Sequence, residues 1–204
     1  MRYTGPKAKV CRREGVLIFD SPQISKAFNR RKYPPGMHGP KQVRVRMTEY
    51  GTQLRMKQRM KRAYGLTEKQ FRKFFDIAAR QKGDSGDNLL LMMELRLDNI
   101  VFRTGLAESR PQARQLVSHG HITVNGGKVD IPSYQVKIDD VVSIKESKRE
   151  KPYFKNVLSQ AKVATADWIM WEASKSEAKV MSHPELSNLK TLFDTRLIVE
   201  YYSR

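Results

Sequence analysis

Residues Ser109–Gly126 read SRPQARQLVSHGHITVNG and combine signals for a helix, a loop, a strand and a tight turn. Ser109 is expected to cap the helix, with the side chain of Gln112 reaching back to the cap. Gly120 suits the left-handed position that commonly follows a helix. Asn125–Gly126 is a strong signal for a two-residue hairpin turn. The stretch therefore predicts a short helix followed by a β-hairpin.

Two faces of this predicted helix differ in chemistry. Ala113, Leu116 and Val117 follow the helical repeat and are expected to pack against a core. Arg110 and Arg114 recur four residues apart on another side of the helix. We therefore predict that this second side contacts phosphate groups of a nucleic acid.

The loop and the turn add polar groups that suit RNA. His119 and His121 can donate hydrogen bonds to phosphate, 2′-hydroxyl or base-edge atoms, and Gln115 and Asn125 lie close to them in sequence. The alternative is that one histidine packs in the core or caps the end of the helix. A metal site is not favoured, because no cysteine lies near the histidines to complete a ligand set.

The charge of the chain indicates a polyanionic partner. The 204 residues include 39 Lys and Arg against 21 Asp and Glu, a net charge of +18. Residues 1–82 carry 22 basic and 5 acidic residues, whereas the remaining 122 residues carry 17 and 16. A surface that serves only solubility mixes charges of both signs. We therefore expect the first part of the chain to neutralise phosphate, with an affinity that falls as salt rises.

Composition divides the chain into four predicted segments. They are a basic N-terminal arm (1–46), a helical domain (47–87), a small RNA-binding domain (88–150) and a C-terminal segment that completes the fold (151–204). The arm holds five of the nine prolines, which favours an irregular conformation that orders on its partner.

The helical domain shows two kinds of helical stripe. Arg55, Arg59 and Arg62 are spaced as a basic stripe along one helix. In the next helix, a stripe from Phe71 to Ala78 is expected to form a core rather than a platform for stacked bases. Thr67, with Gln70 three residues on, is the predicted cap of that helix.

The second half of the chain predicts a small sheet. Short strands are expected over 129–131, 135–138 and Val141–Ile144. Later segments predict a helix over Tyr153–Lys162 and strands over Trp168–Trp171 and Leu197–Tyr202. The predicted fold class is α+β: an irregular basic arm, a helical domain, and an RNA-binding domain of helices packed on a mostly antiparallel sheet.

Motifs along nearly the whole chain resemble one family. They are Arg2–Pro6, Cys11–Gly15, Arg31–Gly36, His38–Gly39, Tyr64–Gly65, Lys69–Phe71, Arg96–Gly105, Ser109–Arg110, Ala113–Gln115, Val117–Gly126 and Ile198–Arg204. These residues resemble small-subunit ribosomal protein four, the uS4 family, in its zinc-free form. The 88–150 segment resembles the alpha-L domain, which also occurs in pseudouridine synthases, some tyrosyl-tRNA synthetases and a heat-shock RNA-binding protein. The neighbouring motifs favour the ribosomal family.

The resemblance implies a structural role without a cofactor. It implies primary binding of 16S rRNA, nucleation of the body of the small subunit and, with ribosomal proteins five and twelve, an effect on decoding accuracy. It also implies contacts with other small-subunit proteins and a position near messenger RNA where that RNA enters the subunit. We look for the contact with protein five at Tyr201, Tyr202 and Arg204, with the alternative that the aromatic rings only close a local core.

Pattern and resemblance together predict a set of RNA-binding side chains. In the arm and the first helices they are Arg2, Lys7, Lys9, Arg12, Arg13, Arg31, Lys32, Tyr33, His38, Arg44, Arg55, Arg59, Arg62 and Arg72. In the RNA-binding domain they are Arg96, Ser109, Arg110, Gln112, Arg114, Gln115, His119, Gly120, His121 and Asn125.

Catalysis, metal binding and membrane insertion are not favoured. Cys11 has no partner histidine and aspartate defined by the sequence, and Asp98 beside Arg96 favours an ion pair over a catalytic carboxylate. The zinc-carrying form of the family has four cysteines near its N-terminus, whereas this chain has one. The longest apolar run, Leu89–Met93, is too short to cross a bilayer. We expect a ribosome-bound protein in a reducing cytoplasm or organellar matrix.

Two other functions stay open on sequence alone. An RNA-modifying enzyme that carries the same RNA-binding domain would need a catalytic domain, which no segment resembles. A free RNA-binding factor acting in rescue or stress would be found away from ribosomes in high-salt gradients.

Overall fold

Helices and a single sheet make up the computed structural model, which describes residues 3–19, 21–41, 47–159, 166–172 and 174–204, with only the backbone of Ser159 and Asn188. The predicted RNA-binding residues Arg2 and Arg44 lie outside these ranges. The helices of the described residues are α1 (Lys7–Glu14), α2 (Pro22–Arg30), α3 (Glu49–Ala63), α4 (Glu68–Arg80), α5 (Ser85–Glu94), α6 (Leu97–Arg103), α7 (Arg110–Ser118), α8 (Glu146–Arg149), α9 (Pro152–Ser159), α10 (Ser187–Leu192) and α11 (Thr195–Ser203), with a 3₁₀ turn at Gly39–Lys41. The strands are β1 (Ile122–Val124), β2 (Gly127–Lys128), β3 (Val141–Ile144), β4 (Ile169–Glu172) and β5 (Glu177–Val180).

The chain forms two compact units that differ from the four predicted segments. The first unit contains Met1–Leu89 and Asn188–Arg204, and the second contains Leu90–Ser187. The predicted segment 151–204 is thus divided between the units, because Ala178 and Val180 are buried in the same core as Ile144, whereas the last helix packs on α3. The predicted arm is also less irregular than expected, since its described part contains α1 and α2.

Helix α4 forms as its sequence predicts. The Thr67 hydroxyl accepts a hydrogen bond from the backbone of Gln70, whose own side chain accepts one from the backbone of Thr67. This reciprocal cap satisfies two amides that have no partner inside the helix. Phe71 and Ala78 are fully buried and Phe75 is nearly so, which confirms the expected core stripe.

The predicted strand at Leu197–Tyr202 is wrong, because these residues form helix α11. Asp194 caps the helix by accepting a hydrogen bond from Arg196 N at 3.1 Å. Apolar and aromatic residues recur four apart, so that Ile198 is fully buried and the Tyr202 ring lies 4.6 Å from that of Phe75. Packing of this face overrides the strand propensity of the branched and aromatic residues.

The second unit contains a five-stranded antiparallel sheet in the order β2-β1-β3-β5-β4. Strand β1 pairs with β3 so that Thr123 lies opposite Ser143. Asn125 and Gly126 have φ values of +50° and +79°, the left-handed conformation that a type I′ hairpin turn requires, which confirms the predicted turn. The sheet is larger than predicted, because strand β5 was not expected from the sequence. It shares one hydrophobic core with helices α6 and α7.

The segment between β2 and β3 forms no named strand. Gln135 makes only an isolated bridge to Arg96, and the exposed Ile131 and Ile138 provide little burial to hold an extended pair. Backbone bonds from Leu97 N to Tyr134 O and from Val136 N to Leu95 O nevertheless tie the segment to the start of α6. No helix among the described residues has both the length and the apolar composition that crossing a bilayer requires.

Candidate nucleic-acid interface

Helix α7 packs on the sheet through one face and leaves another accessible. Ala113 and Val117 are fully buried in the core of the second unit, whereas Gln115 and His119 are exposed. The predicted capping box at its start is wrong. The Ser109 side chain makes no capping hydrogen bond, and Gln112 Oε1 instead accepts one from Glu108 N at 2.9 Å. Pro111 at the start of the helix supplies the backbone restriction that favours this boundary.

The two arginines of α7 are held by residues of α6. Arg110 Nε donates to Asn99 Oδ1 at 2.9 Å, and the Arg110 guanidinium lies 4.6 Å from the centre of the Phe102 ring. Arg114 Nη1 donates to Asp98 Oδ2 at 3.2 Å. Arg110 and Arg114 are both half-buried, and these contacts orient their guanidinium groups before any partner arrives.

Buried polar groups stand behind these arginines. The Arg96 guanidinium makes two bonds to the Asp98 carboxylate, at 3.0 and 2.8 Å, and the Arg96 residue is only 1% exposed. The expectation that Arg96 contacts RNA is therefore wrong, because its side chain is buried and bound to Asp98. The structure confirms that Asp98 serves in ion pairs, since it binds Arg114 as well as Arg96.

A second buried carboxylate supports Asn99. Glu94 is 1% exposed and accepts two bonds from the Arg103 guanidinium, both at 3.0 Å. Glu94 also accepts a bond from Asn99 Nδ2 at 2.9 Å, which leaves Asn99 Oδ1 to receive Arg110. The amide of Asn99 is thus fixed in one orientation by its two neighbours.

The loop after α7 depends on glycine. Gly120 has φ +65°, and the Lys128 Cε atom lies 2.5 Å from the position that a Cβ on Gly120 would take. Gly120 is buried, and its role is to let the backbone turn at the end of α7. The Lys128 side chain, which the sequence did not single out, is brought over the loop by the hairpin.

The two predicted histidines lie together with their rings 6.1 Å apart. His119 is exposed, whereas His121 is half-buried and packs edge-on against Phe154 at 5.9 Å. Burial lowers the pKa of His121, and the positive charges of Lys151, His119 and Lys148 lower it further. His121 Nδ1 is buried and has no hydrogen-bond partner among the described residues.

Asn125 has an intramolecular role. Its Nδ2 donates to Asp140 Oδ1 and its Oδ1 accepts from Val141 N, both at 2.8 Å. Both polar ends of the side chain therefore hold the hairpin to the start of β3. This use competes with the RNA contact that the sequence predicts for Asn125.

The arginine stripe of α3 is turned toward α1 in the first unit. The Glu14 carboxylate, which is fully buried, pairs with Arg55 at 3.3 Å and also with Arg62. Arg59 Nη2 donates to Glu14 O at 3.2 Å, which satisfies a carbonyl at the end of α1. These three arginines, which were predicted to contact RNA, therefore hold α1 against α3. Glu14 was missed from the sequence, because its partners lie 41 and 48 residues further along the chain.

The remaining predicted RNA-binding residues of the first unit are mostly exposed. Lys9, Arg13, Arg31, Lys32, Tyr33, His38 and Arg72 are exposed, whereas Lys7 and Arg12 are half-buried. Arg12 donates to Tyr33 O and Pro34 O at 2.9 and 3.1 Å, and its guanidinium lies 4.8 Å from the Tyr33 ring centre. Further exposed cations were missed: Lys26, Arg30, Lys41, Lys69, Lys73, Arg80 and Lys82.

The predicted protein-contact residues join α11 to α3 and α4. The Tyr202 hydroxyl donates to Glu68 Oε1 at 2.9 Å, and burial together with Glu68 raises the pKa of Tyr202. The Tyr201 ring lies 5.7 Å from that of Tyr50. Arg204 is exposed, with a 3.5 Å approach to Glu49. Both tyrosines thus pack within their own unit, as the alternative interpretation expected.

Among the described residues, no three His, Cys, Asp or Glu side chains come together in an arrangement that could hold a metal ion. Cys11 is fully buried on α1 and forms no disulfide.

Comparison with known proteins covers the whole chain. Residues 2–94 match the ribosomal protein S4/S9 N-terminal domain family, and residues 95–142 match the S4 domain family. The chain is 46% identical over its full length to the small ribosomal subunit protein uS4 of Desulfitobacterium hafniense, of which it covers 99%. It is 48% identical to uS4 of Thermoanaerobacter sp. strain X514 and 45% identical to uS4A of Alkaliphilus metalliredigens, with the same coverage. The relatives are named as ribosomal proteins and not as enzymes, which agrees with the prediction from the sequence.

Proposed function

The chain belongs to the uS4 family of small ribosomal subunit proteins, and we propose that it is a primary binder of the 16S rRNA of that subunit. The observation that carries the proposal is the pair of arginines on α7 held in place by Asn99 and Asp98. Guanidinium groups fixed in this way suit a folded RNA, because little side-chain freedom is lost when phosphate binds.

The first unit supplies most of the positive charge. Its exposed cations extend over α1, the 21–41 segment and the outer side of α4, opposite the buried Phe71 and Phe75. A surface of one sign attracts a polyanion and releases the counterions that surround it. We propose that RNA contacts are made by those predicted side chains that remain accessible in each unit.

The two surfaces contribute differently to binding. Phosphate neutralisation by the first unit gives affinity without sequence preference. The fixed groups of α7, with Gln115 and His119 beside them, meet backbone phosphates and 2′-hydroxyls at positions set by the shape of the RNA. The A-form major groove is closed to side chains, so shape rather than base sequence determines placement.

Binding of the full chain to a 16S rRNA transcript tests the proposal. We expect stoichiometric binding with an affinity that falls by about 10³-fold or more between about 50 and 200 mM salt if six or more phosphates are neutralised. Replacement of both α7 arginines, Arg110→Ala with Arg114→Ala, should weaken binding by about tenfold or more.

The matched control removes two lysines from the β4–β5 hairpin of the same unit, Lys175→Ala with Lys179→Ala. It changes the net charge equally, and we expect binding within about twofold of the unchanged chain. Equal losses in the two double variants would show that only total charge matters. RNA turnover by the protein alone would favour an RNA-modifying enzyme.

We further propose that the chain joins several rRNA helices at a junction and nucleates the body of the small subunit. A strongly basic first unit and a second unit that carries the fixed arginines of α7 support this proposal, because each can contact a different stretch of backbone. Chemical footprinting should then show protection at a multi-helix junction by the full chain. Protection of one isolated helix would contradict this assembly role.

The contact with ribosomal protein five, and the effect on decoding accuracy together with proteins five and twelve, are also proposed on the family. Arg204 and the outer edges of Tyr201 and Tyr202 remain accessible for such a contact. A position near incoming messenger RNA and residence on cytoplasmic ribosomes are proposed on the same basis. Arg204→Ala should leave rRNA binding unchanged and alter misreading in reconstituted subunits, whereas unchanged misreading would remove Arg204 from this contact.

A further inference from the structure

A row of basic side chains follows strand β3 in the second unit. Lys148 N donates to Lys145 O at 2.8 Å, and Lys151 N donates to Lys148 O at 3.1 Å. Residues three apart in a helix or a helical turn are neighbours on its surface, so side chains at this spacing lie near one side. Lys145, Lys148 and Lys151 therefore form one row, and Phe154 follows three residues later in α9.

This row lies against His121. Lys145 N donates to His121 O at 2.9 Å, which fixes the start of the row beside the histidine. At the other end, the Phe154 ring packs edge-on against the imidazole at 5.9 Å. The charges of Lys151 and Lys148, between these two anchors, act on the His121 ring.

The other elements around His121 also bring positive charge. The His119 ring, at the end of α7, lies 6.1 Å from the His121 ring. The Lys128 side chain of β2 lies over Gly120, the residue between the two histidines in the sequence. The charged groups that act on the His121 ring are Lys151, His119 and Lys148, and none is acidic. Asp130, the nearest carboxylate partner of Lys128, is exposed and 3.4 Å from its ammonium group. The cluster therefore lacks an internal counter-charge at its centre.

We propose that His119, His121, Lys148 and Lys151 form a phosphodiester-binding site at which RNA binding adds a proton to His121. The inference rests on the proposed function, since it names a second RNA contact in the unit that carries Arg110 and Arg114. A phosphate placed among these groups removes their mutual repulsion and accepts charge-assisted hydrogen bonds from them.

The direction of the pH effect follows from the surroundings of His121. In the free protein, burial and the neighbouring positive charges hold the pKa of His121 below its ordinary value of 6.5, so the ring is neutral at pH 7. A bound phosphate has the opposite charge and raises that pKa. Binding therefore takes up a proton, and affinity for RNA increases as the pH falls through the range between the two pKa values.

The test uses the full chain and a 16S rRNA transcript at constant ionic strength. Lys148→Ala with Lys151→Ala should weaken binding by about tenfold at pH 7, whereas the control Lys175→Ala with Lys179→Ala should stay within about twofold. If the unchanged chain binds and both double variants behave alike, the site is overturned while the proposed function stands. If the unchanged chain does not bind, the proposed function itself fails.

The proton is tested separately with histidine variants. The unchanged chain should bind about threefold or more tighter near pH 6 than near pH 8, and His121→Gln should lose most of this difference. His183→Gln, which changes an exposed histidine elsewhere, should keep it. An NMR titration of the His121 ring, with and without the transcript, provides a readout that needs no variant. A pKa that does not rise on binding, or a pH effect kept in full by His121→Gln, would overturn the proposal.

Discussion

Removal of the Asp98 carboxylate is expected to destabilise the second unit strongly. The partner Arg96 is 1% exposed and is held by two bonds of 3.0 and 2.8 Å, so Asp98→Ala removes both of these bonds from a buried guanidinium. Breaking a buried ion pair from one side costs about 3–5 kcal/mol. By contrast, the Lys128–Asp130 pair is half exposed at both ends, and Asp130→Ala should cost about 0–1 kcal/mol.

Tryptophan fluorescence measures this loss of stability in the second unit, which contains Asp98. Trp168 and Trp171 are the only tryptophans in the sequence, and both contribute to the core of the second unit. At a urea dependence of about 1.5 kcal/mol per M, Asp98→Ala should lower the unfolding midpoint by about 2–3 M. The double change Arg96→Met with Asp98→Leu removes both charges and should cost much less than Asp98→Ala alone. A midpoint for Asp98→Ala close to that of Asp130→Ala would refute the reasoning.

Two further changes test the first unit and the hairpin. Burial alone would raise the pKa of Glu68, but hydrogen bonds from Lys57, Lys61 and Tyr202 outweigh it and lower the pKa to about 2. Because this folded pKa lies below the ordinary value of 4.5, these bonds stabilise the fold above that pH and their contribution is lost as the pH falls toward 2. Glu68→Gln should therefore be less stable than the unchanged chain at pH 7 in urea unfolding followed by circular dichroism, and a gap that did not narrow near pH 3 would argue against an ionic cause. Asn125→Ala loses two hydrogen bonds and places alanine at positive φ, so fluorescence should show a loss of about 2 kcal/mol, with part of it recovered in Asn125→Gly.

Local features of the fold were predictable because they depend on neighbouring residues. The Asn125–Gly126 turn follows from the positive φ that these residue types tolerate. The cap of α4 follows from Thr67 and Gln70 three residues apart. Helix α11 was not predictable in the same way, because its branched and aromatic residues suit a strand until Asp194 and the α3 packing surface are known.

The interface was predictable in its charge and less so in its arrangement. The sequence placed Arg55 and Arg62 on one helical side, but only the fold shows that the buried Glu14 occupies them. In the second unit, Lys148 and Lys151 were not singled out from the sequence, because basic and acidic residues are mixed over 145–151. The three-residue turns and the packing of Phe154 on His121 instead bring Lys148 and Lys151 to the histidines.

The division of the chain into units has a consequence for its synthesis. Helix α11 packs on α3, and Gln53 Nε2 donates to Glu200 Oε2 at 3.0 Å, so the first unit includes residues translated after the whole of 90–187. A translating ribosome releases the chain from its N-terminus onward. All residues of the second unit are therefore synthesised before α11, which packs on α3 in the first unit. We expect the first unit, whose N-terminal residues are synthesised first, to complete its fold last.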